Sequence, residues 1–248
     1  MRYLTISLMC LVVLCGCRIE RETFRQPLLV SAIRADENPE VLKTIKKVVL
    51  VSSGEDNLAS QGSAFPFLCK KFKEDRGKVR VYFLTASHVI TDPTKISIAM
   101  YRLLDPDKPY RVISNVWVEA QHDSWDATIL GALLDEEIPC CRLRGEVPRP
   151  RQKLVSAGFA HGEACVVSDG RVTRPVGNVD PTPMWLCSAP VSFGMSGGAM
   201  IDAETGEAMG VILQASYITQ NFMTFIVPHM NRFVSTHDLL PWIRKVLS

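Results

Sequence analysis

Short hydrophobic runs alternate with turn-forming residues over most of the chain, from Lys43 onward. Each run is four to eight residues long and is bounded by glycine, proline, aspartate, asparagine or serine. This length and spacing is typical of an all-β sandwich or a pair of barrels, whereas βαβ units would place long helical patterns between the runs. The predicted strands are 48–51, 79–84, 96–100, 112–118, 127–134, 153–159, 184–187, 208–215 and 223–227.

One long helical pattern stands out, at the C-terminus. Its apolar positions recur at the spacing that places them on one face of a helix, and they are Leu239, Leu240, Ile243 and Leu247. Ser235 or Thr236 can cap the N-terminus of this helix with a hydroxyl group. We therefore expect a helix over residues 236–248, after the last strand.

The first seventeen residues have the pattern of an export signal. Arg2 is followed by an uncharged, mostly apolar run over residues 3–16. The run is shorter than the roughly 20 residues that a bilayer-spanning helix needs, and it has the length of a signal-peptide core. Leu14-Cys15-Gly16-Cys17 resembles the lipobox of bacterial lipoproteins, which implies cleavage after residue 16 and acylation of Cys17, for example with palmitate. The alternatives are an ordinary secretory signal cut near Cys17 and a short N-terminal anchor.

Residues 17–42 are predicted to form a lipid-anchored flexible tether. The stretch after Cys17 is polar and charged, has no sustained hydrophobic period and contains Pro27 and Pro39. Each buried methylene of a lipid contributes about 0.8 kcal/mol to membrane binding, so several acyl chains on Cys17 would hold the protein durably. We expect a lipid-anchored protein of the bacterial envelope that faces the periplasm or the cell exterior, with its folded domain over residues 43–248.

Composition and charge exclude several classes of protein. Of 248 residues, 22% are charged and 47% are hydrophobic, which argues against a disordered chain and against a polytopic membrane protein. The 28 basic and 26 acidic residues leave a net charge of +2, without the basic excess that is typical of nucleic-acid-binding domains. No cysteine or histidine spacing matches a zinc site. We therefore expect no nucleic-acid partner, no metal and no cofactor.

Three segments carry residues suited to nucleophilic catalysis. His88 follows a predicted strand and small residues, Asp126 directly precedes another strand, and Ser196 lies among glycines. Each segment alone is a weak signal. Their order, histidine, aspartate and then serine, is that of the chymotrypsin type of catalytic triad. The separations of 38 and 70 residues leave room for strands between the three sites.

These segments resemble the trypsin/chymotrypsin-like serine peptidases. The resemblance is carried by Thr85-Ala86-Ser87-His88, Asp126-Ala127 and Gly194-Met195-Ser196-Gly197-Gly198. Gln61-Gly62-Ser63-Ala64-Phe65 resembles the strand that precedes the histidine in bacterial members, and Phe225-Ile226-Val227-Pro228 resembles their last barrel strand.

The resemblance implies an all-β fold of two antiparallel six-stranded β-barrels, of the chymotrypsin type, with a C-terminal α-helix. The first barrel would occupy residues 43–137 and the second residues 151–234, with the helix over 236–248. The catalytic site of this family lies in the cleft between the two barrels. The recurrent short strands and the final helical pattern agree with this fold independently of the resemblance.

The resemblance also implies a role for each site residue. His88 would be the general base, Asp126 would orient its imidazole, and Ser196 would attack the carbonyl and form an acyl-enzyme. The backbone amides of Gly194 and Ser196 would form the oxyanion hole. The implied protein is a monomeric serine endopeptidase that acts on proteins or peptides. The alternatives are a catalytically silent binding module with this fold and an esterase-type hydrolase with the same triad.

Two positions depart from the pattern of the digestive members of the family. Met195 stands before the serine, where those members carry the aspartate that pairs with a newly cut N-terminus, so we expect activity without such processing. Pro190, six residues before the serine, would lie at the floor of the substrate pocket, and Phe193 is a further pocket candidate. The segment Ala189-Pro190-Val191-Ser192 has no acidic residue, which favours a small or apolar substrate side chain.

Five cysteines follow the leader, namely Cys69, Cys140, Cys141, Cys165 and Cys187. Disulfides form readily outside the cytoplasm, and a pair of Cys165 with Cys187 is our first expectation because both fall in the second barrel. The alternative is that all five are small buried hydrophobic residues. The neighbours Cys140 and Cys141 are not expected to pair with each other.

A basic stretch follows the first predicted barrel. It consists of Arg142, Arg144, Arg149, Arg151 and Lys153. We expect this stretch to be a solvated linker between the barrels. A surface that faces anionic lipid headgroups near the anchor is the alternative.

Overall fold

The computed structural model describes most of the chain after the leader. The described residues are 38–54, 59–75, 77–102, 108–122, 124–162, 164–175, 184–214, 217–220, 223–226 and 230–248. The predicted signal peptide, Cys17 and residues 18–37 of the predicted tether lie outside the described residues.

Helix α1 (Pro39–Ile45) opens the described part of the chain. Asn38 caps it by accepting a hydrogen bond from the amide two residues further on, at 3.0 Å. Val41 and Ile45 are buried in the main hydrophobic core. The predicted domain start at residue 43 therefore falls inside a packed helix. A helix of two turns among polar residues carries too few apolar positions to show a period.

The next seven strands form one antiparallel sheet in the order β5-β4-β1-β2-β3-β7-β6. They are β1 (Val49–Ser53), β2 (Ser60–Lys71), β3 (Val79–Ala86), β4 (Ile96–Met100), β5 (Arg111–Ile113), β6 (Val116–His122) and β7 (Ala127–Leu134). Only residues 114–115 separate β5 from β6, although these strands are the two edges of the sheet. Because three residue steps span at most about 11 Å, the sheet must curl until its edges lie close together.

The first sheet differs in detail from the predicted first barrel. A single strand was expected over 112–118, but the chain breaks at Ser114 and Asn115 and forms the separate strands β5 and β6. The sheet therefore has seven strands rather than six, and among the described residues no ladder pairs β5 with β6. The two-barrel fold class is nevertheless confirmed, since this half-barrel packs beside a closed barrel and a C-terminal helix follows.

The second half of the fold is a closed six-stranded barrel. Strands β8 (Lys153–Ala160), β9 (Ala164–Pro175), β10 (Met184–Cys187), β11 (Ala199–Asp202) and β12 (Ala208–Gln214) are followed by the hairpin β13 (Tyr217–Gln220) and β14 (Met223–Ile226), and then by β15 (Asn231–Ser235). The barrel runs β10-β15-β12-β11-β8-β9 and closes between β9 and β10.

The expected last barrel strand is wrong. Phe225 and Ile226 belong to β14, which pairs with β13 in a separate two-stranded sheet, and the last barrel strand is β15. Val227 and Pro228 lie outside the described residues. The apolar run 223–227 predicts a strand correctly, but its partner strand depends on contacts that a local pattern does not encode.

The main hydrophobic core joins the sheet to the barrel. Buried side chains of the sheet, such as Phe65 and Leu84, belong to the same cluster as Phe159 and Val211 of the barrel. A smaller cluster, which includes Phe233 and Met200, fills the barrel. The two halves are thus held together by continuous apolar packing, and the cleft residues described below are positioned by both.

Helix α2 (Thr236–Val246) closes the chain as predicted, and Ser235 is its cap. The Ser235 hydroxyl accepts the Asp238 amide at 3.1 Å. Trp242 of this helix and His122 make an edge-to-face contact, with ring centroids 5.3 Å apart. No helix among the described residues has the length and apolar character needed to cross a membrane.

The expected pairing of Cys165 with Cys187 is wrong. The ladders place the two cysteines opposite positions that are far apart: Cys165 lies opposite Phe159 of β8, and Cys187 lies opposite Val172 of β9. Cys165 and Val172 are seven positions apart on β9, which is about 23 Å along an extended strand. Two cysteines that belong to the same barrel therefore need not lie close enough to form a disulfide.

Candidate active site

Strands β3 and β7 bring His88 and Asp126 together. The two strands are neighbours, and Ala86 at the end of β3 lies opposite Ala127 at the start of β7. A single 3₁₀ turn, Ser87–Val89, follows β3 and carries His88. Asp126 is the residue directly before β7, so the register of this one strand pair places both side chains at the same end of the sheet.

The Asp126 carboxylate holds His88 by its ring and by its backbone. His88 Nδ1 lies 2.7 Å from Asp126 Oδ2, and the His88 amide donates to Asp126 Oδ1 at 2.9 Å. The Ser87 amide donates to the Asp126 carbonyl oxygen at 3.0 Å. Asp126 has a φ of 50°, in the left-handed region. This conformation is uncommon for residues other than glycine, although aspartate tolerates it better than most.

The imidazole of His88 remains reachable from solvent. Its side chain is 49% exposed, whereas that of Asp126 is 33% exposed. A carboxylate on Nδ1 fixes the ring orientation and leaves Nε2 as the nitrogen that faces away from Asp126. This is the arrangement that a general base needs if it is to accept a proton from a neighbouring hydroxyl group.

The turn that carries Ser196 is bonded to both halves of the fold. On the side of the sheet, the Ser63 amide of β2 donates to the Ser196 carbonyl oxygen at 2.7 Å. On the side of the barrel, the Gly197 amide donates to the Ile212 carbonyl oxygen at 2.7 Å, and the Ile212 amide donates to Gly198 at 2.9 Å. The serine turn therefore bridges β2 and β12.

Gly197 packs this turn against the end of β3. It has a φ of 84°, and a Cβ there would collide with the Ser63 carbonyl oxygen and the Thr85 hydroxyl and lie 3.0 Å from the Ala86 nitrogen. Ala86 is only two residues from His88. The absence of a side chain at Gly197 thus allows the close approach that brings the Ser196 turn beside the His88 turn.

Ser196 Oγ donates a hydrogen bond to the Leu213 carbonyl oxygen at 2.9 Å. Among the residues that the structure describes, no hydrogen bond joins Ser196 to His88. The structure therefore brings the His88–Asp126 pair together directly and places the Ser196 backbone next to it, with the hydroxyl group turned to β12.

Gly194 supports a backbone shape that a side chain would prevent. Its φ is 88°, and a Cβ would collide with the Phe159 carbonyl oxygen. Within the described part of the chain, the amides of Gly194 and Ser196 have no hydrogen-bond acceptor. Two uncommitted amides in one short turn are the donors that an oxyanion hole requires.

Ser63 is a component of the site that sequence reasoning missed. It is fully buried, and its hydroxyl group donates to the Gly194 carbonyl oxygen and accepts the Phe159 amide, each at 2.8 Å. Its own carbonyl oxygen accepts the Thr85 hydroxyl at 2.7 Å. The resemblance of residues 61–65 to a family strand marked the segment, but no pattern in the sequence indicates which atoms this serine would bond.

The substrate-pocket candidates lie at the surface. Phe193 is 76% exposed and Pro190 is exposed, while the Pro190 carbonyl oxygen accepts the Ser156 hydroxyl at 3.0 Å. Met195 is buried in the barrel core, so it takes an apolar role where the digestive members carry aspartate. No group of three or more metal-ligating side chains occurs among the described residues.

Comparisons with known proteins agree with this arrangement. A sequence profile of the trypsin-like peptidase domain matches residues 72–211, which contain all three candidate catalytic residues. A search of curated proteins gives no match.

Solved structures of bacterial proteases share the fold. A serine endoprotease from Yersinia pestis is similar with a TM-score of 0.63 and 19% identity; the match covers 84% of this chain and 65% of that chain. An M. tuberculosis protease in its active form is similar with a TM-score of 0.62 and 20% identity, over 84% of each chain. The inactive form of the same protease is similar with a TM-score of 0.59 and 22% identity, and the match covers 85% of this chain and 94% of that chain.

At these low identities the solved structures are evidence for the fold alone, and this chain spans only 65% of the length of the Yersinia pestis chain. The sequence profile is the stronger finding, because it matches more than half of the chain directly. The chain belongs to the trypsin-like peptidase domain family.

Proposed function

We propose that this protein is a serine endopeptidase that hydrolyses peptide bonds through Ser196, His88 and Asp126, and that a lipid on Cys17 anchors it to the bacterial envelope. The observation that carries the catalytic part is the 2.7 Å contact of His88 Nδ1 with Asp126 Oδ2, at the strand end against which the Ser196 turn docks. Family membership supports a peptide or protein as the substrate.

In the proposed mechanism, His88 takes the proton of Ser196 as the hydroxyl oxygen attacks the scissile carbonyl carbon. The Asp126 carboxylate keeps the imidazole oriented and stabilises its protonated form. The tetrahedral intermediate collapses to an acyl-enzyme, and His88 gives its proton to the leaving amine. Water then repeats the sequence and releases the acid product.

The hydrogen bond from Ser196 to Leu213 describes a resting orientation of the hydroxyl group. Rotation about the Cα–Cβ bond of Ser196 frees Oγ from the Leu213 carbonyl oxygen. The hydrogen bond that is given up is worth only about 0.5–1.5 kcal/mol. Catalytic hydrogen bonds often align only when substrate is bound, so this orientation is compatible with the proposed chemistry.

The negative oxygen of the intermediate would be stabilised by the amides of Gly194 and Ser196. Loss of one such donor typically lowers kcat by about 10² to 10³. The positive φ of Gly194 supports this assignment, because it gives the turn a shape that residues with a Cβ rarely adopt.

The catalytic part is tested with the protein and its Ser196→Ala variant. We expect a fluorophosphonate probe to label Ser196 and the protein to cleave casein. In the variant, kcat should fall about 10⁶-fold while the protein stays folded. Equal hydrolysis by the variant would exclude Ser196 as the nucleophile. A folded protein that neither reacts with the probe nor cleaves casein would be a binding module, and turnover of small esters without casein cleavage would indicate an esterase.

The anchoring part is tested separately, by metabolic labelling with a palmitate analogue and by membrane fractionation. We expect Cys17→Ser to abolish both the label and the membrane association. Cys15→Ser is the matched control, because it changes the neighbouring cysteine and leaves the acylated position intact. Equal labelling of the Cys17→Ser variant would exclude the lipoprotein assignment, whatever the outcome of the catalytic test.

A further inference from the structure

Two cysteine side chains meet where the sheet joins the connection to the barrel. Cys69 lies near the end of β2, and Cys140 lies in the connecting segment between β7 and β8. Both are free thiols in the structure, and their Sγ atoms are 2.8 Å apart. Cys69 Sγ also lies 3.3 Å from the Ile138 carbonyl oxygen, to which it donates.

The backbone holds both cysteines in place. Cys69 is paired with Val81 in the β2–β3 ladder. On the other side, the Cys141 amide donates to the Pro66 carbonyl oxygen of β2 at 2.7 Å, and Lys47 Nζ donates to the Cys140 carbonyl oxygen at 2.8 Å. The positions of the two cysteines therefore follow from a strand ladder and from two hydrogen bonds at the connecting segment, one of them from the Lys47 side chain.

We propose that Cys69 and Cys140 form an intramolecular disulfide that ties β2 to the connecting segment. A disulfide has an S–S bond of about 2.05 Å, so the sulfur atoms need to move by less than about 1 Å. Both cysteines are partly exposed, so an oxidant can reach them, whereas the adjacent Cys141 is buried.

The reaction removes one proton from each thiol and transfers two electrons to a second disulfide, either a small one such as oxidised glutathione or that of a thiol oxidoreductase. One cysteine thiolate attacks the oxidant and forms a mixed disulfide. This attack releases the first sulfur of the oxidant as a thiolate. The other cysteine thiolate then attacks the mixed disulfide and releases the second sulfur, and both released thiolates take up the protons lost by the cysteines. In the cell this requires an oxidising compartment, which rests on the location proposed above but not on the proposed catalytic activity.

Burial and the hydrogen bond with Cys69 raise the pKa of the Cys140 thiol. Because the thiolate is the attacking species, oxidation without a catalyst would be slow near neutral pH. The bond would form when an oxidant is supplied and would then remain, held by the surrounding backbone contacts.

The disulfide would strengthen the junction of the two halves. The same connecting segment continues to Leu143, which bridges to Ala208 of β12, and the Arg144 amide donates to the Ala208 carbonyl oxygen at 2.8 Å. A cross-link at Cys140 would therefore join the sheet, the connection and the barrel. It would close a long loop, since the two cysteines are 71 residues apart, and long loops gain most from such a bond.

The test uses the full chain with Ser196→Ala, which excludes self-digestion and makes the result independent of catalytic activity. The purified folded protein is reduced, freed of reductant, treated with oxidised glutathione and a thiol oxidoreductase as catalyst, alkylated under denaturing conditions and digested with trypsin. We expect a linked pair of peptides, residues 48–70 with residues 112–142. Because the second peptide contains both Cys140 and Cys141, the variants Cys140→Ala and Cys141→Ala identify the partner. The first should lose the link and the second should keep it.

A second measurement does not depend on these variants. Reductant should lower the unfolding temperature of the oxidised chain and leave that of Cys69→Ala unchanged. Full alkylation of Cys69 and Cys140 after treatment with oxidised glutathione and the catalyst would overturn the proposal. A link that survives in Cys140→Ala and vanishes in Cys141→Ala would overturn it as well. A pair that forms in vitro but stays reduced in cells would support the disulfide and contradict the proposed location.

Discussion

At the scale of single residues, Ser63 connects the two halves of the site without taking part in the proposed chemistry. Its hydroxyl group bonds Gly194 and Phe159, and its amide bonds Ser196. All three partners are backbone atoms of the barrel half, whereas Ser63 itself belongs to β2 of the sheet. Ser63 is therefore a positioning residue for the turn that carries the proposed oxyanion donors.

Ser63→Ala should lower kcat about ten- to a hundredfold with little change in KM. The variant leaves the buried Phe159 amide and the part-buried Gly194 carbonyl without this partner, at a cost of about 1–3 kcal/mol, and about 1.36 kcal/mol corresponds to a tenfold change in rate. Steady-state kinetics on a peptide substrate measures the split between kcat and KM.

Ser235→Ala is the matched control for this substitution. Ser235 is also fully buried, and its hydroxyl group bonds Asp238 at the start of α2. We expect it to lower the free energy of unfolding by a similar amount while kcat stays close to that of the parent protein. Equal losses of kcat in both variants would reduce Ser63 to a purely structural role.

At the scale of elements, the site depends on how one glycine turn docks onto two strands. Gly197 and Gly77 both have a φ near 84°. A side chain at either position would therefore add about 1–2 kcal/mol of backbone strain. Only Gly197 faces other atoms: a Cβ there meets Ser63 and Thr85, while a Cβ at Gly77 meets nothing within 4 Å.

Gly197→Ala should therefore reduce fluorophosphonate labelling of Ser196 by more than about a hundredfold, because the added methyl group forces the turn away from the His88 strand end. Gly77→Ala should change only the stability, by about 1–2 kcal/mol. The rate of labelling and the unfolding temperature are measured for both variants. Normal labelling of Gly197→Ala would show that the turn does not need this close packing.

Elements with a strong local pattern were predicted well. Strands β3, β7, β8 and β12 and helix α2 lie within a few residues of their expected positions. Three barrel strands were not predicted as separate strands: β9, β11 and β15. Polar residues interrupt β9 and β15, and β11 offers only three apolar residues before Asp202, so none of the three gives the alternation or the run length on which such a prediction depends.

At the scale of the whole molecule, a buried ion pair fixes the connection between the two halves. Arg144 is 8% exposed and Asp202 is 1% exposed, and Arg144 Nη1 lies 3.1 Å from Asp202 Oδ2. The expectation of a solvated basic linker is therefore wrong for Arg144. A run of basic residues indicates exposure on average, but it does not reveal a buried carboxylate 58 positions away in the chain.

Arg144→Ala should lower the free energy of unfolding by about 3–5 kcal/mol, because it leaves the buried Asp202 charge without its partner. Lys78→Ala is the control: its pair with Asp135 is exposed and spans 3.8 Å, so we expect a change within about 0.5 kcal/mol. Urea unfolding of both variants measures the difference. A small loss for Arg144→Ala would show that Asp202 is satisfied by the hydrogen bonds it accepts from the Glu204 and Thr205 amides.

The amino-acid sequence alone determined the strand-rich pattern, the final helix, the family and the three residues His88, Asp126 and Ser196, because these are encoded in local spacing and in short motifs. The tertiary structure decided which of them touch and what supports them. Ser63 contacts Gly194, which is 131 positions away in the chain, and Cys69 contacts Cys140, which is 71 positions away. Such contacts arise from the curl of the sheet and the docking of the barrel, and hydrophobic periodicity carries no information on either.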